Sequence, residues 1–228
     1  QNYQGCKEEA NRYVEALCDI ASLDGLTFQI REKDHRERKP YLYFDWQHYH
    51  ELSKKTKAAN KLFGVAITDD EMLDFFEKDL EVDFYKVIRD GVYNKELLTK
   101  LANTNKPVLV SVGLCSEQDI QKLSQLLSAI EGEIRLIYTN RSSVRLQDIN
   151  LSAMNTLRKY WEKVGYGSHC EDSTNLLLAM CCEPTDILFY VKNTSSTEFD
   201  KFPDSEWAVD LSKTEKMIDK LVECRDAL

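Results

Sequence analysis

The chain has no excess of basic charge: 30 Lys and Arg stand against 39 Asp and Glu in 228 residues, a net charge of −9. A nucleic-acid backbone calls for a basic stripe, so no nucleic-acid partner is expected. An anionic small ligand stays open, because a local pocket can be positive inside an acidic protein. No apolar run approaches the roughly 20 residues of a membrane span, which argues against a membrane partner. No signal peptide is visible. The seven cysteines, at 6, 18, 115, 170, 181, 182 and 224, include no CxxC pair and are odd in number. They set the expectation of free thiols in a reducing compartment, hence a cytoplasmic protein. No GxGxxG or GxxxxGK[ST] follows a strand, which disfavours a nucleotide-binding open sheet.

What is present is a repeated strand–loop–helix unit, clearest from Lys106 to Gly132. Val108 to Val112, entered through Pro107, reads as a strand buried on both faces. Ser111 and Gly113 stand at its C-terminal end, where small residues let a ligand approach the backbone. Ser116 with Asp119 is a capping box, Ile120, Leu123, Leu127 and Ile130 form the apolar stripe, and Gly132 stops the helix.

Further strands are expected at 26–30, 62–67, 83–88, 134–139, 164–166 and 187–191. Helices are expected at 5–22, 47–61, from Asp69 through Phe76, from Asn94 to Asn103, from Asn150 through Trp161, and over 173–182. A final helix is expected behind a Ser212/Glu215 capping box. The charged stretch 31–40 reads as a solvated loop. Strictly alternating units imply parallel strands with right-handed crossovers. The class is α/β, and a (β/α)8 TIM barrel is favoured over an open sheet, as one domain over 1–228. Its first strand would lie upstream of Gln1, because the chain opens on a helix.

In such a barrel the active site forms at the C-terminal ends of the strands. Gln29, Thr68, Lys86, Ser111, Asn140, Arg141, His169, Lys192 and Asn193 stand there. Lys86, among Phe84, Tyr85, Val87 and Ile88, is costly to bury unless it meets an anion or loses its proton. It suits a phosphate, a carboxylate or a Schiff base, or else a structural ion pair. His169 suits a metal or acid–base chemistry, or a purely structural place. His48 and His50 read as surface residues, and Cys181 and Cys182 as buried core.

The order of motifs resembles the N-acetylneuraminate (sialic acid) synthases and their bacterial relatives for legionaminic and pseudaminic acids. Gln1-Asn2-Tyr3-Gln4-Gly5 is similar to the tail of E-I-G-Q-N-H-Q-G, and Thr27-Phe28-Gln29 to K-F-Q. Phe84-Tyr85-Lys86-Val87 is similar to F-F-K-V, and Lys106 to Leu114 to K-P-V-I-I-S-T-G-M. Gln147 to Leu151 matches E-D-V-N-L, and Val164 to His169 resembles I-G-Y-S-D-H. The resemblance implies a barrel that condenses phosphoenolpyruvate with an N-acylated hexosamine to give a nonulosonic acid, helped by a divalent metal such as manganese or magnesium. It implies Lys86 and Asn140 as catalytic groups, Asn2, Gln29, Ser111 and Lys192 as substrate or phosphate contacts, and His169 as a metal ligand. A homodimer is compatible with it, and the C-terminal antifreeze-like domain of the family is not matched.

The departures are many. Thr27 replaces the Lys of K-F-Q, and Val65-Ala66-Ile67-Thr68 replaces S-T-P-F. Ile88-Arg89 and Ser142-Ser143 replace hydroxyl-bearing and Tyr-Pro segments. Asn193 stands where the second metal histidine belongs, so the metal is expected to be weak or absent. Glu206-Trp207 replaces a D-H pair. Arg89 and Arg141 are cations that partly make up for those lost. Two readings follow: a carbon–carbon bond-forming transferase with an eroded site, or a non-catalytic barrel that binds a ligand or partner.

Overall fold

A computed structural model describes residues 3, 5–113, 115–140, 145–170, 172–195 and 204–228. Helices and strands alternate along them. The first half runs α1 (Lys7–Cys18), β1 (Gly25–Gln29), α2 (Lys33–Arg38), α3 (Trp46–Ala58), β2 (Leu62–Ile67), α4 (Leu73–Lys78), β3 (Phe84–Val87), α5 (Lys95–Ala102) and β4 (Val108–Ser111). It continues with α6 (Glu117–Leu127), β5 (Ile134–Thr139), α7 (Ala153–Arg158), β6 (Val164–Gly167), α8 (Thr174–Met180), β7 (Ile187–Leu188), β8 (Val191–Lys192), β9 (Val209–Asp210) and α9 (Leu211–Ala227).

Strands β1 to β7 pair in chain order, each parallel to the next, as βαβ units require. Gln29, Ala66, Lys86, Ser111, Thr139, Gly167 and Leu188, one from each strand, all face a single cavity. The sheet is therefore curled into most of a barrel, and the seven strands are those expected from the sequence. Between the edges β1 and β7 the wall is helical, formed by Tyr13 and Leu17 of α1 and Ile218 and Leu221 of α9. The strand expected at 187–191 divides: β7 stays in the barrel sheet, while β8 pairs with β9 beside it.

Side chains alternate across each strand. Val65, Ile67, Tyr85, Val87, Val108 and Val110 are fully buried against the surrounding helices, at roughly 1.5–3 kcal/mol for each large side chain. The inward residues fill the lower barrel. The Phe84 ring lies over Gly64, where a Cβ would come within 2.3 Å of it. Arg135 pairs with Asp186 at 2.6 Å on the cavity wall.

Several local expectations are corrected. The stretch 31–40 is not a bare loop: α2 forms within it, followed by a 3-10 turn over Pro40–Leu42. His48 is buried beneath the Phe44 ring, 4.7 Å away, rather than on the surface. Cys181 is exposed and Cys182 half-buried, because they lie beyond the end of α8 rather than within its apolar face. Asp210, not Ser212, caps α9, its carboxylate accepting from the Ser212 N–H. The Ser116–Asp119 capping box forms as expected.

Candidate functional site

The cavity enclosed by the strands has a volume of about 1390 Å³ and reaches the C-terminal rim. Lys86 enters it because Tyr85 and Val87 take the outward positions of β3. In register it stands between Ala66 of β2 and Leu109 of β4. Burial brings its ammonium down to about 8, against a smaller opposing effect of the Asp204 carboxylate. Asp204 also acts on His169 and Tyr190, and Arg89 acts on Tyr190, so these five residues form one electrostatic cluster. Arg89 lines the cavity just past β3 and holds a left-handed backbone, φ 54°, which non-glycine residues adopt at a cost.

His169 follows β6 and is oriented by its neighbour across the rim. Its Nδ1 lies 2.6 Å from the Asn140 carbonyl oxygen, an acceptor only, so Nδ1 carries the proton. Nε2 is left with its lone pair toward the Tyr190 hydroxyl, 3.4 Å away. The imidazole sits against the Tyr190 and Trp207 rings, with centroids at 5.4 and 5.7 Å. Burial pushes its pKa below the ordinary value, outweighing the Asn140 contact. Burial likewise raises the Tyr190 hydroxyl well above the usual phenol range, so it stays protonated.

Asn140 donates its amide N–H to the Ile149 carbonyl at 3.2 Å, while its Oδ1 is buried and finds no partner among the described residues. Trp207 Nε1 is in the same condition. A buried acceptor and a buried donor left open at one rim are what a polar ligand would satisfy. Ser111 shares a 3.3 Å hydrogen bond with Thr139. Gly113 lies on the cavity wall, but its smallness serves the neighbouring strand: a Cβ there would stand 2.0 Å from the Thr139 carbonyl oxygen.

Of the residues singled out from the sequence, Gln29, Lys86, Arg89, Ser111, Asn140 and His169 line this cavity together. Lys192 does not: it belongs to β8, outside the barrel sheet, and donates to the Ser205 carbonyl at 2.7 Å. Asn2 and Arg141 lie outside the described residues, as do Ser142 and Ser143. Sequence reasoning missed Arg31, His35, Tyr190 and Asp204 and met Trp207 only as a departure from the D-H pair; all five are on the cavity wall. Arg31 was within reach, since it directly follows the strand ending at Ile30; Tyr190 and Trp207 face the rim only because the chain breaks between β7 and β8.

Among the described residues, the donors do not fit the divalent metal implied by the resemblance, since no three of His, Cys, Asp and Glu converge. His169 offers a bare nitrogen, but Asn193 is already engaged. Its amide N–H donates to Glu9 of α1 at 2.8 Å, and its Oδ1 accepts from the Ser195 N–H at 3.1 Å.

The NeuB family pattern matches residues 24–228. Among curated proteins, the chain is 27% identical over 193 residues to the N-acetylneuraminate-9-phosphate synthase of Drosophila melanogaster, covering 74% of this chain and 52% of that one. It is 26% identical over 140 residues to the protein of the same name from Homo sapiens, covering 60% and 39%. The chain thus spans about half the length, or less, of the curated relatives it matches. Among solved structures, the N-acetylneuraminic acid (sialic acid) synthetase of Leptospira borgpetersenii serovar Hardjo-bovis superposes with a TM-score of 0.87 at 21% identity, covering 99% of this chain and 81% of that one. The phospho-2-dehydro-3-deoxyheptonate aldolase of Thermotoga maritima superposes with a TM-score of 0.73 at 14% identity, covering 98% and 65%. The parallel barrel sheet supplies the fold, and the pattern running from residue 24 to the last residue supplies the kinship: this chain belongs to the NeuB family.

Proposed function

We propose that this chain is a sialic-acid-synthase-like barrel that binds phosphoenolpyruvate at its rim, beside an N-acylated hexosamine, and that its active site is eroded. The observation that carries the reading is Lys86: a lysine drawn into the barrel cavity, with Arg89 lining the same cavity, places two cations inside an acidic protein. Two cations in one cavity suit the phosphate and carboxylate ends of such an acid. Ser111 and Asn140 offer a hydroxyl and an open amide oxygen to the polar groups of the ligands. His169 Nε2 can take a proton from a hydroxyl or a water, since its other nitrogen is committed to the Asn140 carbonyl.

Erosion is favoured by Asn193, whose amide is consumed by Glu9 and Ser195. Catalysis of this type depends on charges positioned in advance, and the loss of one such group typically costs 10²–10³ in rate. A non-catalytic role as a ligand-binding barrel is the second reading, and the same residue favours it. The test is a pair of measurements on the whole chain. Phosphoenolpyruvate is expected to raise the melting temperature without added metal. Phosphate release with an N-acylated hexosamine is expected to be slow. Rapid, manganese-dependent release would overturn the erosion, and no effect of phosphoenolpyruvate would overturn the anion site.

A further inference from the structure

On the β1 side of the cavity mouth stands a cation beyond Lys86 and Arg89. Arg31 follows β1 by two residues and lines the cavity with a side chain only 13% exposed. We propose that Arg31 is a carboxylate-binding residue held in reserve: Glu32 fills its fork, and an acidic ligand entering the cavity takes the place of that carboxylate. The inference deepens the anion-site reading above and rests on it.

The contact between the two residues is two-pronged. Arg31 Nε donates to Glu32 Oε2 at 2.9 Å, and Arg31 Nη2 donates to Oε1 at 2.6 Å. A guanidinium recognises any planar carboxylate in this way, so Glu32 occupies the fork as the carboxylate of a ligand would. Both partners are fixed from behind. Arg36 donates to the Arg31 carbonyl at 2.5 Å, and is itself held by Glu71 at 3.3 Å and against the Trp46 ring. Thr68, just past β2, donates to Glu32 Oε2 at 2.8 Å. A fork already set in place loses little freedom when one carboxylate replaces another.

Displacement leaves neither group stranded. The Glu32 side chain is 29% exposed, so the released carboxylate reaches water and keeps the Thr68 hydroxyl. The ligand gains a charge-assisted pair in return. Because one ion pair replaces another, Arg31 adds little net affinity in the unaltered chain, and Glu32 acts as an internal competitor. A neutral sugar cannot displace it, whereas an acid can. Gln29 is level with Ala66, and Ala66 with Lys86, so β1 and β3 stand two strand spacings apart, roughly 10 Å. Arg31 and Lys86 thus approach the cavity from different walls.

Calorimetric titration with phosphoenolpyruvate at physiological ionic strength tests the proposal, on the unaltered chain, Glu32→Gln, Arg31→Gln and the double variant. Glu32→Gln gives up the charge but keeps an oxygen for Thr68, and it is expected to tighten binding about fivefold or more. The same change made in Arg31→Gln should give no gain, because the fork it would release is gone. An equal gain in both backgrounds would mean that Glu32 acts only as a distant charge, and would overturn the proposal. Binding by the unaltered chain with no gain in Glu32→Gln removes the reserve and keeps the anion site. No binding by any of the four proteins, each shown to be folded by thermal unfolding, removes both.

Discussion

A lysine inside a barrel wall leaves a trace in stability as well as in binding. Burial sets the Lys86 amine at about 8, below the 10.5 of a free side chain, so between those values the unfolded chain binds more protons than the folded one. Stability contributed at this position therefore rises with pH through that window, and the full cost is present below pH 8. We expect Lys86→Met to be the more stable protein at pH 7, by up to about 3 kcal/mol at 1.36 kcal/mol per pH unit. The gap should close toward pH 10.5, and urea denaturation of both proteins across pH 7–10.5 reads it. A gap that does not change with pH would place the ammonium in water. Asn193 makes a second residue-scale case. Its bond to Glu9, a carboxylate only 6% exposed, ties the segment after β8 to α1. Asn193→Ala should cost about 1 kcal/mol in chemical denaturation, since Glu9 loses one hydrogen bond but keeps Arg12 at 3.4 Å.

Elements with strong local signals were the legible ones. β4 and α6 were readable whole, because a β-branched run and a capping box are decided within a few residues of sequence. Ser116→Ala should lower stability by about 1 kcal/mol, measured by thermal or urea unfolding, since it removes the acceptor for the Asp119 N–H. Illegible elements were those decided at a distance. α2 holds no buried residue of its own and forms over the rim through contacts such as Arg36 over the Trp46 ring at 5.7 Å and the His35–Tyr43 hydrogen bond at 2.6 Å. The division of 187–191 into β7 and β8 depends on β9, twenty residues further along the chain, and no periodicity in Ile187 to Val191 foretells it. The cavity residues followed the same pattern. Lys86, Ser111 and His169 were visible because strand ends locate a barrel's rim, whereas Tyr190 and Trp207 face it only through that division.

At the scale of the whole molecule, seven parallel strands leave two edges facing one cavity, with helices α1 and α9 as the wall between them. Among the described residues the edge strands β1 and β7 lack a partner on one side, so their amides should open more readily than those of the middle strands. Hydrogen exchange is expected to be slowest in β3 and β4 and faster in β1 and β7; uniform protection across all seven would mean that the gap is filled in solution. The chain carries a net charge of −9, and Lys86 and Arg89 are among the charged groups that line the cavity. Kinship fixes this frame, while the chemistry at the rim rests on a handful of side chains. The most direct measurement is calorimetric titration of the chain with phosphoenolpyruvate, in chelator and in manganese, for the unaltered protein and Lys86→Ala. The account predicts binding in chelator, little change with manganese, and a loss of about tenfold or more in affinity in Lys86→Ala; binding that requires manganese and ignores Lys86 would contradict it.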